Sequence, residues 1–291
     1  MEFGLFGINM GPLSDPLASS HVAKIAEAAG FDSLWAGEHI VLPDPQVEGS
    51  PLPPDYPMLD PNISFAWLAA QTQQIKFGTG IIILPQRNPL VLAKEMASLD
   101  VLCGGRLLFG VGIGYLKAEF DALGVSFKDK GPRTVEYLEA MQSIWNEEDP
   151  SYDGDFVSFA GVKALPRPLQ KGGPPVIFGG HVQGAFERTV SHGHGWYGFG
   201  LSPEATAECV QGLEAALARG NRPAHLGKLE LSVTPFGNID LDLAKRYQDL
   251  GIERLIALSP TTGGELFNLS ATESDISDYV KKLGDEVIAR L

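Results

Sequence analysis

A glutamate and a histidine stand together where one strand of this chain is predicted to end. Residues 31–39, FDSLWAGEH, form a short apolar run that closes on Glu38 and His39. An imidazole titrates near neutral pH and therefore suits general acid or base catalysis. The carboxylate of Glu38 could orient such a group. The pair predicts a catalytic site at a strand end, although a single histidine more often has a structural role.

Glycines mark the end of a second predicted strand. Residues 106–111, RLLFGV, pass into Gly112, Ile113 and Gly114. The spacing is G-x-G-x-G and not the dinucleotide fingerprint G-x-G-x-x-G, because Tyr115 occupies the position of its last glycine. Backbone without a Cβ lets a flat or phosphorylated ligand approach closely, but alternate glycines also serve close strand packing.

A third candidate is the segment Gly179, Gly180 and His181. It follows a short strand and precedes a helix that is predicted to begin near Val182. Free backbone N–H groups at a helix N-terminus bind phosphate readily. A tight turn between strand and helix is the simpler alternative.

The elements that must position these residues alternate between strand and helix along the whole chain. The predicted strands are residues 3–8, 31–39, 75–85, 106–111, 176–178, 196–199, 229–236 and 254–258. Eight strands alternating with helices predict a single α/β domain over residues 1–291, a (β/α)8 or TIM barrel. Residues 41–61 are rich in proline and are interpreted as a lid loop. Residues 151–175 predict a small hairpin, inserted between strands four and five.

Composition excludes several classes of function. The formal net charge is −14 and the isoelectric point is near 4.8, which argues against nucleic acid and anionic membranes as partners. The two cysteines, Cys103 and Cys209, imply no disulfide framework. The start of the chain lacks the basic residues of a signal peptide, and no apolar run approaches membrane-spanning length. We expect a cytoplasmic protein.

The predicted strand ends are poor in carboxylates and cysteines, which disfavours a metal-dependent hydrolase. His192 and His194 are interpreted as loop residues, so no metal site is predicted. The motifs of P-loop nucleotidases, zinc proteases and serine hydrolases are absent from the sequence.

Four segments resemble the bacterial luciferase-like oxidoreductases, and among them the branch that depends on the deazaflavin coenzyme F420. They are GFDSLWAGEHIVLP (30–43), KFGTGIIILPQRNP (76–89), GGRLLFGVGIGYLKAEFDALG (104–124) and PPVIFGGHVQGAFERTVSHGHGWYG (174–198). The resemblance implies a (β/α)8 barrel with an insertion. It also implies that a flavin-type ring lies over strands two to four, with its phosphate near the end of strand five.

The resemblance assigns roles to individual residues. His39, in an acid–histidine pair with Glu38, is expected to face the reactive edge of the ring. A non-proline cis peptide is expected at Gly80–Ile81, where it supports the face of the ring. The cofactor-binding residues are then Gly80, Ile81, Ile82, Gly112, Ile113, Gly114, Gly179, Gly180 and His181. Tyr115 and His194 depart from the residues that are usual in the family.

The resemblance implies an F420-dependent oxidoreductase that transfers a hydride between the deazaflavin and a small organic substrate, with His39 giving or taking a proton. Two alternatives stay open: a monooxygenase that uses reduced FMN, and a barrel that binds flavin without turnover. Basic side chains could meet the acidic tail of the deazaflavin, and the candidates are Lys128, Lys130, Arg133, Lys163, Arg167 and Lys171. Barrels of this kind often form homodimers.

Overall fold

The strands of the barrel are short and almost completely buried. A computed structural model describes residues 1–220, 222–258 and 268–291. In chain order the strands are β1 (Glu2–Phe6), β2 (Ser33–Ala36), β3 (Lys76–Thr79), β4 (Ile82–Ile83), β5 (Leu107–Gly112), β6 (Tyr152–Asp153), β7 (Ser158–Phe159), β8 (Val176–Gly179), β9 (Gly195–Leu201), β10 (Glu230–Pro235) and β11 (Arg254–Ala257).

Eight of these strands close into a parallel barrel. Neighbours pair in the order β3, β2, β1, β11, β10, β9, β8, β5, and a direct pairing of β3 with β5 closes the ring. The short β4 continues beyond β3 and also pairs with β5. The predicted (β/α)8 barrel is confirmed. Parallel strands place all their carboxyl ends at one rim, which is where barrel enzymes carry their active sites.

Helices surround the barrel. They are α1 (Pro16–Ala28), α2 (Pro61–Ala69), α3 (Pro89–Leu102), α4 (Lys117–Ala122), α5 (Lys130–Asn146), α6 (Gln183–His192), α7 (Pro203–Leu217), α8 (Leu241–Asp249) and α9 (Glu273–Glu286). Side-chain caps start several of them, and Asp15 accepts from two backbone N–H groups of α1 as its position before Pro16 predicts. The sequence alone makes Ser274 a plausible cap of the last helix, but this prediction is wrong, because the structure has Thr272 as the cap, in a capping box with Asp275.

The insertion and the lid loop lie where the sequence predicts them. Strands β6 and β7 pair antiparallel between β5 and β8, around the turn at Asp153–Gly154. The proline-rich loop crosses the barrel mouth and is tied to the end of β1, since the Asn9 side chain donates to the carbonyls of Gly37 and Leu59. A backbone bridge joins Met10 to Met58. No helix in the described part of the chain is long and apolar enough to span a membrane.

Candidate active site

A cavity of about 510 Å³ opens at the carboxyl ends of the strands. Most of its wall is apolar, and its few polar side chains come from different strand ends, as is typical of cofactor and substrate sites. All the predicted site residues except Ile82 line it, and the list is Glu38, His39, Gly80, Ile81, Gly112, Ile113, Gly114, Gly179, Gly180 and His181.

The floor of the cavity is backbone. The peptide bond Gly80–Ile81 is cis, as the resemblance implies. Behind it, a Cβ at Gly110 would lie 1.7 Å from the carbonyl oxygen of Thr79, so only glycine fits there. A Cβ at Gly112 would lie 2.6 Å from Cδ1 of Ile81. These glycines therefore serve close packing, one of the two interpretations of the sequence, and their part in ligand approach stays a prediction.

Ile82 does not line the cavity. Its side chain is completely buried in the main hydrophobic cluster, between the barrel and the helices. Ile81 and Ile83, on either side of it, line the cavity, so the side chains alternate here between the two faces and Ile82 lies on the outer one. Ile83, which is not among the predicted cofactor-binding residues, lines the cavity instead.

His39 is held by a carboxylate that lies far from it in sequence. Nδ1 of His39 lies 3.1 Å from Oε2 of Glu119, whose side chain is completely buried. Oε1 of the same carboxylate accepts from the backbone N–H groups of Ile40 at 2.6 Å and Val41 at 3.4 Å. This geometry favours the tautomer in which Nδ1 carries the proton and Nε2 is the acceptor.

Tyr115 occupies the other side of the imidazole. Its hydroxyl lies 3.4 Å from Nε2 of His39, and the two rings meet edge to face. Desolvation, and then the charge of Glu119, raise the pKa of Tyr115 to about 12, so its phenol is neutral near pH 7 and can donate to Nε2. Glu119, His39 and Tyr115 form a polar chain from the barrel interior to the cavity mouth.

Glu38 has another set of partners. Its carboxylate accepts from the backbone N–H of Ile83 at 2.6 Å and from Nε of Arg87 at 2.9 Å. Arg87 also binds Asp60, the residue that caps α2. The sequence predicts that Glu38 orients His39. In the structure Glu119 holds the imidazole instead, and Glu38 binds the backbone that follows Ile81.

The turn after β8 offers backbone N–H groups to the cavity. Gly180 has φ +130°, and a Cβ there would lie 2.8 Å from that of Ala185. The helix α6 that follows has no side-chain cap at Val182. Nε2 of His181 accepts from the backbone N–H of Phe199 at 3.1 Å, and burial lowers the pKa of His181. A neutral His181 and an open helix N-terminus fit an anionic group at this end of the cavity.

The lid loop supplies apolar side chains to the opposite wall. Pro51, Leu52 and Met58 line the cavity together with Met10. Phe6, Tyr197 and Phe199 form an aromatic group beneath them. The Tyr197 hydroxyl bonds to Thr234 at 2.6 Å, so this wall presents mostly carbon to a ligand.

Sequence reasoning missed the two residues that hold the site together, Glu119 and Arg87. A weak signal existed for Glu119, because it lies in the first turn of the helix that follows the glycine-rich strand end. His194 accepts a hydrogen bond from the Val176 backbone and has a structural role. In the described residues no group of three or more His, Cys, Asp and Glu side chains could hold a metal ion.

Comparison with known proteins agrees with this geometry. The family model described as luciferase-like monooxygenase matches residues 14–254. The chain belongs to this family. The predicted resemblance is thereby confirmed at the level of the family, whose members are oxidoreductases and monooxygenases.

Relatives of this luciferase-like protein differ in cofactor. An uncharacterized protein of Mycobacterium tuberculosis is 28% identical over 271 residues, 90% of each chain. The oxygenase component of the flavin-dependent trigonelline monooxygenase of Acinetobacter baylyi is 27% identical over 202 residues, 66% of this chain and 52% of that protein. The structure of the coenzyme F420 dependent tetrahydromethanopterin reductase of Methanopyrus kandleri superposes with a TM-score of 0.77 at 16% identity, covering 99% of each chain.

Proposed function

We propose that this luciferase-like protein is an F420-dependent oxidoreductase that transfers a hydride between the deazaflavin and a small, uncharged organic substrate. One observation carries the proposal: the His39 imidazole, fixed by a buried carboxylate, stands at the edge of an apolar cavity whose floor is the cis peptide Gly80–Ile81. That arrangement provides one proton-transfer group beside a surface for a flat ring.

The residues present fit such a cofactor. The cavity volume of about 510 Å³ lies within the range of small-molecule sites, and its floor lacks Cβ atoms at Gly80 and Gly112. The open turn at Gly180 and the start of α6 could hold the phosphate. When bound, a deazaflavin supplies a ring carbon that accepts or gives a hydride.

The chain's own groups then have distinct tasks. The apolar wall of Met10, Leu52 and Met58 holds the substrate and excludes water. In the direction of substrate oxidation, Nε2 of His39 takes the hydroxyl proton as the hydride leaves the substrate carbon; in the reverse direction it returns that proton. Glu119 keeps Nδ1 protonated, so that Nε2 carries the lone pair that accepts the proton. The substrate hydroxyl would replace the Tyr115 hydroxyl, which lies 3.4 Å from Nε2.

A flavin-dependent monooxygenase is the second candidate, supported by the relative of that activity that matches 66% of this chain. The same floor and the same phosphate turn would accept FMN. The two candidates differ in the oxidant, because a monooxygenase needs dioxygen while hydride exchange with a deazaflavin does not.

Titration of the purified protein with each cofactor separates these candidates. Trp35 packs directly behind Gly80, so its fluorescence should report a ring on that floor. We expect saturation by coenzyme F420 and much weaker binding of FMN. Saturation by FMN alone would overturn the choice of cofactor.

Turnover tests the role of His39. With small alcohols and ketones as trial substrates, the absorbance of the deazaflavin should change anaerobically. His39→Asn should lower kcat by roughly 10²- to 10⁴-fold, the usual size of a general acid–base contribution. The matched control is His225→Asn, at an exposed site before β10, on the opposite end of the barrel. Cofactor binding without any turnover would instead support a non-catalytic barrel.

A further inference from the structure

Three basic side chains near the cavity form no ion pair with any acidic residue that the structure describes. Lys130 lines the cavity at the start of α5, and Arg133 lies one turn further along the same helix face. Arg188, on α6, approaches the first turns of α5 and α6. A Cβ built on Gly131 of α5 would lie 3.7 Å from Nη1 of Arg188, and one built on Gly184 of α6 would lie 3.5 Å from it. We call Lys130, Arg133 and Arg188 the basic cluster.

The basic cluster differs from the other half-buried or buried arginines of the molecule. Arg87 and Arg254 bind carboxylates, and Arg106 and Arg222 bind backbone carbonyls. In contrast, Nε of Arg133 and Nε of Arg188 are buried without a hydrogen-bond partner. Among residues 1–220, 222–258 and 268–291, no side chain of the basic cluster forms an ion pair with Asp or Glu.

Nearby acids are already engaged. Glu187 binds Gln183 and Arg219, and Glu136 accepts from the backbone of the inserted hairpin. Lys130 and Arg133 lie over the rings of Phe127 and Phe156, which provide partial compensation. Burial, opposed only by Glu187, lowers the pKa of Arg188, and burial and then Arg188 lower the pKa of Lys130. Without an anion, these cations are desolvated and repel each other.

Such an arrangement lowers stability unless a ligand uses it. The chain carries a formal charge of −14, so three neighbouring cations that form no ion pair with a described residue, one of which lines the cavity, are a strong local exception. They lie beside the starts of α5 and α6, neither of which has a side-chain cap. The position beside the phosphate turn at Gly180 indicates an anion that extends outward from the cavity.

We propose that the basic cluster is an anion subsite that binds the negatively charged side chain of the cofactor beyond its first phosphate. The inference rests on the proposed function and deepens it, because a deazaflavin continues past its phosphate into carboxylates whereas FMN ends there. Lys130 and Arg188 bind the negative group that follows the first phosphate, and Arg133 binds the next group along the side chain of the cofactor. Charge-assisted hydrogen bonds from guanidinium to carboxylate or phosphate supply the affinity.

The first experiment needs no redox ring. Inorganic pyrophosphate should raise the Tm of the wild-type protein above the value in NaCl of the same ionic strength, because it binds the native state only. Lys130→Met/Arg188→Met should abolish this rise, and its own Tm without ligand should equal or exceed that of the wild type. The matched control, Lys281→Met/Lys282→Met, removes the same charge from exposed positions on α9 and should respond like the wild type. An equal rise in the Lys130→Met/Arg188→Met variant, or none in the wild type, overturns the subsite.

The second experiment compares coenzyme F420 with the deazaflavin riboside, which lacks the phosphate and the tail. Lys130→Met/Arg188→Met should weaken F420 by roughly tenfold or more, in line with the loss of charge-assisted contacts, and should leave the riboside within about twofold. An equal effect on both ligands overturns the proposal. If pyrophosphate binds as expected but neither deazaflavin does, the anion subsite stands and the proposed cofactor is wrong.

Discussion

The carboxylate of Glu119 serves three donors at once, with no solvent contact of its own. It accepts from the N–H groups of Ile40 and Val41 and lies 3.1 Å from Nδ1 of His39. We predict that Glu119→Gln reverses the His39 tautomer, because the amide would present a donor to Nδ1. Nε2 would then carry the proton, and kcat in the oxidising direction should fall by roughly 10²- to 10⁴-fold.

The tautomer can be measured directly. The chain has six histidines, so ¹⁵N chemical shifts of the ring nitrogens are resolvable in labelled protein. We expect the His39 signals of Nδ1 and Nε2 to exchange character in Glu119→Gln. The matched control is Asp121→Asn on the same short helix, whose exposed carboxylate pairs with Lys117. Unchanged His39 shifts in Glu119→Gln would show that the carboxylate does not set the tautomer.

Single residues were predictable only where local pattern decides their place. His39 follows from its strand-end position, and the glycines follow from their spacing. Glu119 does not, because the contact joins residues 80 positions apart and depends on how α4 turns back toward β2. Ile82 was assigned to the wrong surface, since its place at a strand end and the family resemblance do not say which face of the strand its side chain takes.

At the scale of elements, one arginine connects three of them through two ion pairs. Arg87, after β4, binds Glu38 at the end of β2 and Asp60 at the start of α2. Only 1% of the Glu38 side chain is exposed. We predict that Arg87→Met lowers the free energy of unfolding by about 3 kcal/mol, because it leaves a buried carboxylate unpaired. Urea unfolding followed by circular dichroism measures this loss.

The double variant separates the cost of the unpaired charge from the loss of packing. Glu38→Gln/Arg87→Met removes both charges and keeps a side chain that can accept from the Ile83 N–H. It should recover more than half of the stability that Arg87→Met loses. Lys94→Met, on an exposed side chain of α3, provides the control for the loss of one positive charge. A double variant as unstable as the single one would contradict the ion-pair explanation.

A buried amide, that of Asn9, helps to hold the lid loop, together with the backbone bridge between Met10 and Met58. Asn9 donates from Nδ2 to the carbonyl of Leu59 at 2.6 Å and to that of Gly37 at 2.9 Å. We predict that Asn9→Ala raises KM for the organic substrate by about tenfold with little change in kcat, since the hydrogen bond that holds the loop at Leu59, next to Met58, is lost together with the one to Gly37. Asn146→Ala, on the exposed end of α5, is the control. An unchanged KM would show that the lid keeps its place without Asn9.

The architecture of the whole molecule was predictable because it depends on many repeated signals. Strand and helix patterns alternate, and cap and glycine residues separate them. A small error, such as the prediction of Ser274 as a cap in place of Thr272, therefore does not alter the barrel. The insertion was predictable because its turn at Asp153–Gly154 is a local signal. The connections between distant elements, through Arg87 and Glu119, have no such repetition.

The stability of the whole molecule should depend on two histidines that are kept neutral. Burial lowers the pKa of His181, and burial followed by the charges of Arg222 and His225 lowers that of His194. Each ring accepts a backbone N–H, from Phe199 and Val176 respectively. In the unfolded chain these two rings bind protons as pH falls through a pKa of about 6.5. In the native state they bind protons less readily, so the free energy of unfolding decreases as pH falls through that value. Carboxylates with lowered pKa, such as Glu27, lose their contribution to stability only below about pH 4.5.

We therefore expect a lower free energy of unfolding in urea at about pH 5.5 than at about pH 7.5. The difference should be smaller for His194→Asn, whose amide oxygen accepts the same N–H without titrating. A difference as large in His194→Asn as in the wild type would mean that His194 is as easily protonated in the native state as in the unfolded chain.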